Sequence, residues 1–455
     1  MFWRFFDEGL AQTSYLLACT RTSRAAIIDP RRDVDEYINL ARREGLTLTH
    51  AIDTHVHADF LSGSRELSAL GVTIVAGPAA GLKFPHHEVR NGEVIAVGGL
   101  ELTCLHTPGH TPEHISIRTS GSAEPPRVFT GDTLFVGAVG RPDLLGSGVT
   151  RQLADQLHTS LFEKLLALPG SVEVWPGHGA GSLCGSGIGH ADHSTIGDER
   201  RHNALLQHRD RDAFVDAVLA DLPETPAYFT RMKRLNKEGA PLPDLAGGVA
   251  APPLLAAAAA AEACASGAWL IDLRPTTEHG AAHPPRSLSI GFGPKVGYWA
   301  AWVVPPDAPI VLMTASPNQD SEVRRQLLRV GLDRIAGSID GGFPAWMAAG
   351  LPTQRIDQIS ASRLRHDAAA RRAVALVDVR SDTEWRRGHI DDAVHIPLQE
   401  LAGRAAELPA DMPVATICEG GTRSGLAASI LERAGLDRIV NVTGGMSEWR
   451  SGARS

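Results

Sequence analysis

The chain has 455 residues, a formal net charge of −8 and five cysteines. Its length exceeds one ordinary hydrophobic core, so two to four domains are expected, and the absence of a Lys/Arg-rich block excludes a nucleic-acid surface. No apolar run reaches the roughly 20 residues of a membrane helix, and cysteines that are odd in number and widely scattered exclude a disulfide framework, so a cytoplasmic protein with reduced thiols is expected.

The opening MFWRFFDEG predicts a strand, because Arg4, Asp7 and Glu8 interrupt the aromatic run before it reaches signal-peptide length. As far as about residue 240, short apolar runs that end in turn signals predict further strands: AAIIDP, LTHAIDT, VTIVAG, LELTCLHTPG, RVFTGD and VEVWPG. Helices are predicted in DVDEYINLARREG and ERRHNALLQHRDRDAFVDAVLADL. This is an α/β pattern whose polar residues sit in loops at strand ends, where sheet-based enzymes build their sites.

Residues 241–260 are rich in Pro, Gly and Ala and read as a linker running into a helix. An internal repeat follows, with a period of roughly 104 residues, too long for a solenoid unit. WLIDLRPTTEHG and ALVDVRSDTEWRRG share a strand ending in Asp-x-Arg before a helix start, and GLDRIAGSIDGGFPAW parallels GLDRIVNVTGGMSEW. Two copies of one α/β domain are expected, at 261–354 and 355–455.

Four strand-end loops offer metal ligands: His55, His57 and Asp59 in THVHADF; His106, His110 and His114 in HTPGHTPEH; Asp132 in FTGDTLF; and His178 in WPGHGAG. Their recurrence beside glycines, which allow close backbone approach, argues for a metal site. Near the C-terminus, VATICEGGTRSGLAA places Cys418 between a strand and a helix, in a Gly-bearing loop with Arg423. Backbone N–H groups, a helix N-terminus and an arginine around one thiol lower its pKa and stabilise an anionic persulfide. Alignment of the repeats through GLDRI puts Thr314 opposite Cys418, and a hydroxyl cannot carry a persulfide, so the first copy is expected to be silent.

On these motifs the first 240 residues resemble the metallo-β-lactamase fold, whose hallmark is His-x-His-x-Asp-His followed by single His, Asp and His residues. Both repeats resemble rhodanese sulfurtransferases. The resemblance implies an αββα sandwich followed by two rhodanese-like α/β domains. Phe60 stands where the hallmark has a ligand of the second metal, which implies a single ion. Within the fold the pattern is similar to persulfide dioxygenases, and implies one Fe(II), rather than zinc, on His55, His110 and Asp132. That two-His-one-carboxylate set leaves open positions for substrate and O₂. His57 becomes a support or extra ligand, and Asp59 and His178 polar supports.

The same resemblance makes Arg141 and Asp143 substrate-binding, with a structural ion pair between them as the alternative. It gives Cys184 a role in taking or relaying sulfur, with a buried inert thiol as the alternative. The whole chain resembles bacterial fusions of persulfide dioxygenase with a silent and an active rhodanese domain. Such a fusion would oxidise a low-molecular-weight persulfide of glutathione or coenzyme A to sulfite and make thiosulfate through Cys418. Its partners would be small molecules (persulfides, O₂, sulfite) and copies of itself in a homo-oligomer, with no nucleic acid and no membrane. A dinuclear zinc thioesterase of the glyoxalase II type, carrying rhodanese modules as sulfur carriers, is the rival.

Overall fold

The computed structural model describes residues 1–120, 125–243 and 248–451, which form two units: 1–249 with 328–331, and 250–327 with 332–455. In the first unit two six-stranded sheets carry the site among the described residues. One runs Phe2–Asp7, Gln12–Cys19, Arg24–Ile28, Thr47–Ile52, Thr73–Ala76, His87–Glu88, antiparallel at first and parallel from Arg24–Ile28 onward. The other runs Ser194–Thr195, Glu173–Pro176, Arg127–Gly131, Ile115–Ser120, Leu100–His106, Val94–Val97.

Strand Gln12–Cys19 shows why the layers stack. Tyr15 and Leu17 enter the core between the sheets with Ile28, Val75, Cys104 and Phe129. Leu16 and Ala18, pointing the other way, pack with Tyr37 and Leu40 of helix Asp35–Arg43. A strand buried on both faces must be apolar at both phases, and from Tyr15 this one is. The second sheet is covered through Val128 and Val174 by Leu157 of helix Ser147–Thr159 and Phe214 of helix Arg211–Ala220. The result is the expected αββα sandwich.

The helix expected across ERRHNALLQHRDRDAFVDAVLADL is broken. Helix Ile196–His202 ends at Asn203, whose amide donates to Ala138 O and Glu199, and Asp210 caps a new helix through the Ala213 N–H. A capping side chain competing with the helix backbone is the reason.

The second unit contains the same parallel sheet twice. Leu254–Leu255, Ile335–Ile339, Ile310–Met313, Trp269–Asp272, Leu288–Ser289 is matched in order by Asp357–Ser360, Ile439–Thr443, Val414–Ile417, Ala375–Asp378, Val394–His395. The Asp-x-Arg motifs do the same work in each copy: Arg274 forks onto Asp272 and Arg380 onto Asp378, both pairs buried. Helix Thr422–Arg433 is buried from Ser424 to Leu431, because the first copy covers its outer side. Ser429 accepts from the Ser289 N–H, Glu432 meets His283 at 3.1 Å, and the Arg433 guanidinium lies 3.6 Å over the Trp269 ring. Among the described residues no helix is long and apolar enough to cross a membrane.

Candidate functional site

The strand ends of the first unit bring His55, His110 and Asp132 together, with one donor atom of each within 4.8 Å of the others. His55 Nε2 lies 3.7 Å and His110 Nε2 3.5 Å from Asp132 Oδ2. All three atoms are buried, and none has a hydrogen-bond partner. Buried polar atoms are normally paired, so three orphans converging on one another fit a missing cation.

The neighbours fix which lone pairs are bare. His110 Nδ1 lies 2.8 Å from the Arg141 carbonyl, which can only accept, so the proton sits on Nδ1 and Nε2 is free. Thr54 Oγ1 donates to Asp29 and therefore accepts from His55 Nδ1, which again leaves Nε2 free. Burial, the largest influence on both, holds His55 and His110 below the usual histidine range, as neutral imidazoles. Asp132 is a carboxylate: burial would raise its pKa, but His178 and His55 outweigh that and hold it well below the ordinary value. Neutral imidazoles and an ionised carboxylate are the forms that ligate metal.

His57 donates Nε2–H to Asp29 at 3.2 Å, and its Nδ1 is buried and unpartnered beside the His55 ring. Burial, the largest single influence, would lower its pKa, but Asp29 together with Asp53 and Asp59 outweighs it and raises the pKa. Phe60, fully buried, lies 4.3 Å from the His57 ring, and Asn236 clamps the loop by donating to the carbonyls of both residues.

Asp59, His178 and Cys184 form a second buried group beside the first. His178 spans two carboxylates, with Nδ1 2.7 Å from Asp132 Oδ1 and Nε2 2.8 Å from Asp59 Oδ2. Burial opposes its protonation, yet the two carboxylates hold its pKa far above the histidine range, as an imidazolium. Burial pushes the Cys184 thiol up, and Asp59 and Asp132 push it further.

Two expectations change here. Cys184 does reach the site, but as a neutral thiol, 1 % exposed and beside the Asp59 and Asp132 carboxylates, which is the setting of the inert alternative because reactivity needs an accessible, electropositive one. Arg141 offers a substrate no free donor. Its guanidinium forks onto Asp143 at 2.7 Å twice and spends its remaining donors on Leu183 O, Glu224 O and Thr225 Oγ1. Its contribution is the carbonyl that orients His110.

His114 and His106 are likewise not placed as ligands: His114 Nε2 accepts the Asp132 backbone N–H, and His106 Nε2 faces the Pro112 carbonyl. Gly131, at φ +48°, makes the first of these possible, since a Cβ there would stand 2.6 Å from His114 Nε2. Sequence reasoning missed Asp29, which orients His57 directly and His55 through Thr54. Its signal is an acidic residue closing the strand AAIID, held at φ +50°.

In the second unit Cys418 follows strand Val414–Ile417 directly, as Thr314 follows Ile310–Met313. The Gly421 N–H donates to Cys418 Sγ at 3.1 Å, and Ser424 Oγ lies 3.6 Å from it. Thr314 donates to Asp320 instead. Arg423 is not aimed alone at the thiol: it forks onto Glu384 at 2.6 Å twice. Cys418, Gly420, Thr422 and Arg423 line one side of a cavity of about 900 Å³.

Residues 7–178 match the metallo-beta-lactamase superfamily, and residues 256–349 and 360–452 each match the rhodanese-like domain. A hydroxyacylglutathione hydrolase of Polaromonas sp. is 31 % identical over half of this chain and 94 % of its own length. The chain belongs to the metallo-β-lactamase superfamily. It continues into two rhodanese-like domains. Its relatives within the superfamily also include the mitochondrial persulfide dioxygenase ETHE1 of Bos taurus, 29 % identical over 45 % of this chain and 74 % of that protein. A solved metallo-beta-lactamase from Staphylococcus aureus is 34 % identical with a TM-score of 0.65, over 74 % of this chain and 98 % of that one.

Proposed function

We propose that this superfamily member is a persulfide dioxygenase joined to a sulfurtransferase: His55, His110 and Asp132 hold one Fe(II), and Cys418 carries sulfane sulfur. The observation that carries the reading is the occupancy of the strand-end loops. Three unpartnered donor atoms converge on a single point, while Phe60 fills the place of a second-site ligand and His178 is engaged by Asp59 and Asp132. A two-His-one-carboxylate set is the arrangement of O₂-using non-haem iron. Iron bound there would supply O₂-dependent oxidation of a persulfide's outer sulfur to sulfite. Asp29, Thr54 and the Arg141 carbonyl keep the histidine donors turned inward, and His178 takes one oxygen of Asp132 so that the other is left for the metal. In the other unit the Gly421 N–H supports negative charge on the sulfur of Cys418.

The hydrolase reading has its own observation: Asp59 Oδ1 is buried without a partner, and Asp59, His178 and Cys184 could hold a second ion. The 31 % identity to a hydroxyacylglutathione hydrolase favours it too. Metal analysis with an oxygen electrode separates the two. Iron in the purified chain and O₂ uptake with glutathione persulfide are expected. Two zinc ions per chain, no O₂ uptake and turnover of a glutathione thioester would overturn the proposal.

A further inference from the structure

The cavity at Cys418 is built mainly by the silent repeat. Cys418 and Arg423 come from the active copy, while Glu278, Phe292, Lys295 and Trp299 come from the copy that lacks the thiol. At about 900 Å³ the space is that of a drug-sized organic ligand, and far larger than an inorganic sulfur oxyanion requires. Its charges have an unusual distribution. Arg423, which lines the cavity beside Cys418, is neutralised by Glu384. Lys295 and Glu278 are exposed, and among the described residues neither is in a salt bridge. Phe292, 45 % exposed, and the half-buried Trp299 add aromatic surface. One exposed cation, one exposed anion and two aromatic faces around a thiol are complementary to a zwitterionic organic molecule carrying sulfur. The close fit of the two copies makes this wall a fixed one: a Cβ on Gly425, in the helix after Cys418, would stand 2.0 Å from Thr276 of the silent copy.

We propose that the silent rhodanese-like domain is the specificity half of the sulfurtransferase site, holding a zwitterionic organic persulfide through Lys295, Glu278 and Trp299 while its sulfane sulfur passes to Cys418. The inference rests on the reading of Cys418 as a sulfur carrier and names the donor class for it. In the step, the Cys418 thiolate attacks the outer sulfur of R–S–SH. The donor S–S bond breaks, a new S–S bond forms on Cys418, and the donor leaves as R–S⁻, which takes the proton that Cys418 gave up. No oxidant is consumed.

The test compares two donors on the full-length chain: glutathione persulfide, a zwitterion, and thiosulfate, a small dianion. For Lys295→Ala and Trp299→Leu the ratio of kcat/KM for glutathione persulfide to that for thiosulfate should fall about tenfold, through KM, as expected for the loss of one charge-assisted or aromatic contact. Turnover of thiosulfate reports that the variant is folded. Lys295→Arg should restore the ratio. An unchanged ratio in both variants, or an equal loss with both donors, would overturn the proposal. Failure of the underlying reading looks different: wild-type protein would transfer sulfur from neither donor, or Cys418→Ser would retain full transfer.

Discussion

Between Asp59 and Leu61 the chain carries a fully buried phenyl ring against His57, while Asp59 is engaged by His178, with Cys184 close by. Phe60→His would supply a metal ligand at position 60. The exchange costs about 2 kcal/mol of apolar burial, which a bound ion offsets. Zinc-reconstituted wild type is expected to hold one ion per chain and Phe60→His two, by elemental analysis, with a proton released from His178 as the second ion binds. A variant that still holds one ion would show that Phe60 does not set the count. The convergence of His55, His110 and Asp132 was legible in the sequence because each follows a predicted strand, His110 and Asp132 directly after a glycine. Their orientation was not: it depends on Asp29 and on the Arg141 carbonyl, joined to them only by folding. Cys19 is a similar case: the Thr22 side chain and the Gly99 N–H, 80 residues away, pull the thiol of this buried residue to about 6 beside an open cavity of about 490 Å³.

At the scale of elements, the two-sheet arrangement came only from the family resemblance, whereas several strands of the sandwich and both Asp-x-Arg strands were legible, because apolar runs closed by turn residues act locally. The break at Asn203 was not, because its amide is paid for by Ala138 O on a distant loop. Nor was the tie between helix Asp382–Arg386 and helix Thr422–Arg433, which Glu384 and Arg423 make across 39 residues. Burial alone would raise the Glu384 carboxyl, but the Arg423 fork outweighs it and pulls it from 4.5 to about 2. A carboxyl depressed in the folded state contributes stability that is fully present above its unfolded pKa and lost as pH falls from about 4.5 through about 2. Glu384→Gln is therefore expected to lower stability by about 2 kcal/mol at pH 7, the partly exposed pair being discounted for solvent screening. The gap from wild type should shrink by more than half at pH 3. Urea midpoints of the two proteins at both pH values check this, and a gap independent of pH would assign the pair no electrostatic role.

For the molecule as a whole, the informative fact is that a metallo-β-lactamase domain and a rhodanese-like loop bearing Cys418 lie in one chain. Linked sites meet each other's products at effective concentrations on the order of millimolar. On the proposed chemistry, one persulfide gives sulfite at the cost of one O₂, and a second gives its sulfane sulfur to Cys418. Sulfite then attacks the outer sulfur of that Cys418 persulfide, breaking its S–S bond, to leave as thiosulfate and return the Cys418 thiolate. Each thiosulfate therefore accounts for two persulfides and one O₂. Cys418→Ser removes only the second branch, so every persulfide consumed must then use O₂. The variant is expected to make at least about a hundredfold less thiosulfate, to accumulate sulfite, and to double its O₂ uptake per persulfide, from one half to one. An oxygen electrode run to exhaustion of a known amount of glutathione persulfide measures that ratio directly. A ratio that stays the same in the variant would mean that the two sites do not share one substrate pool, and a hydrolytic metal site would give no O₂ uptake in either protein.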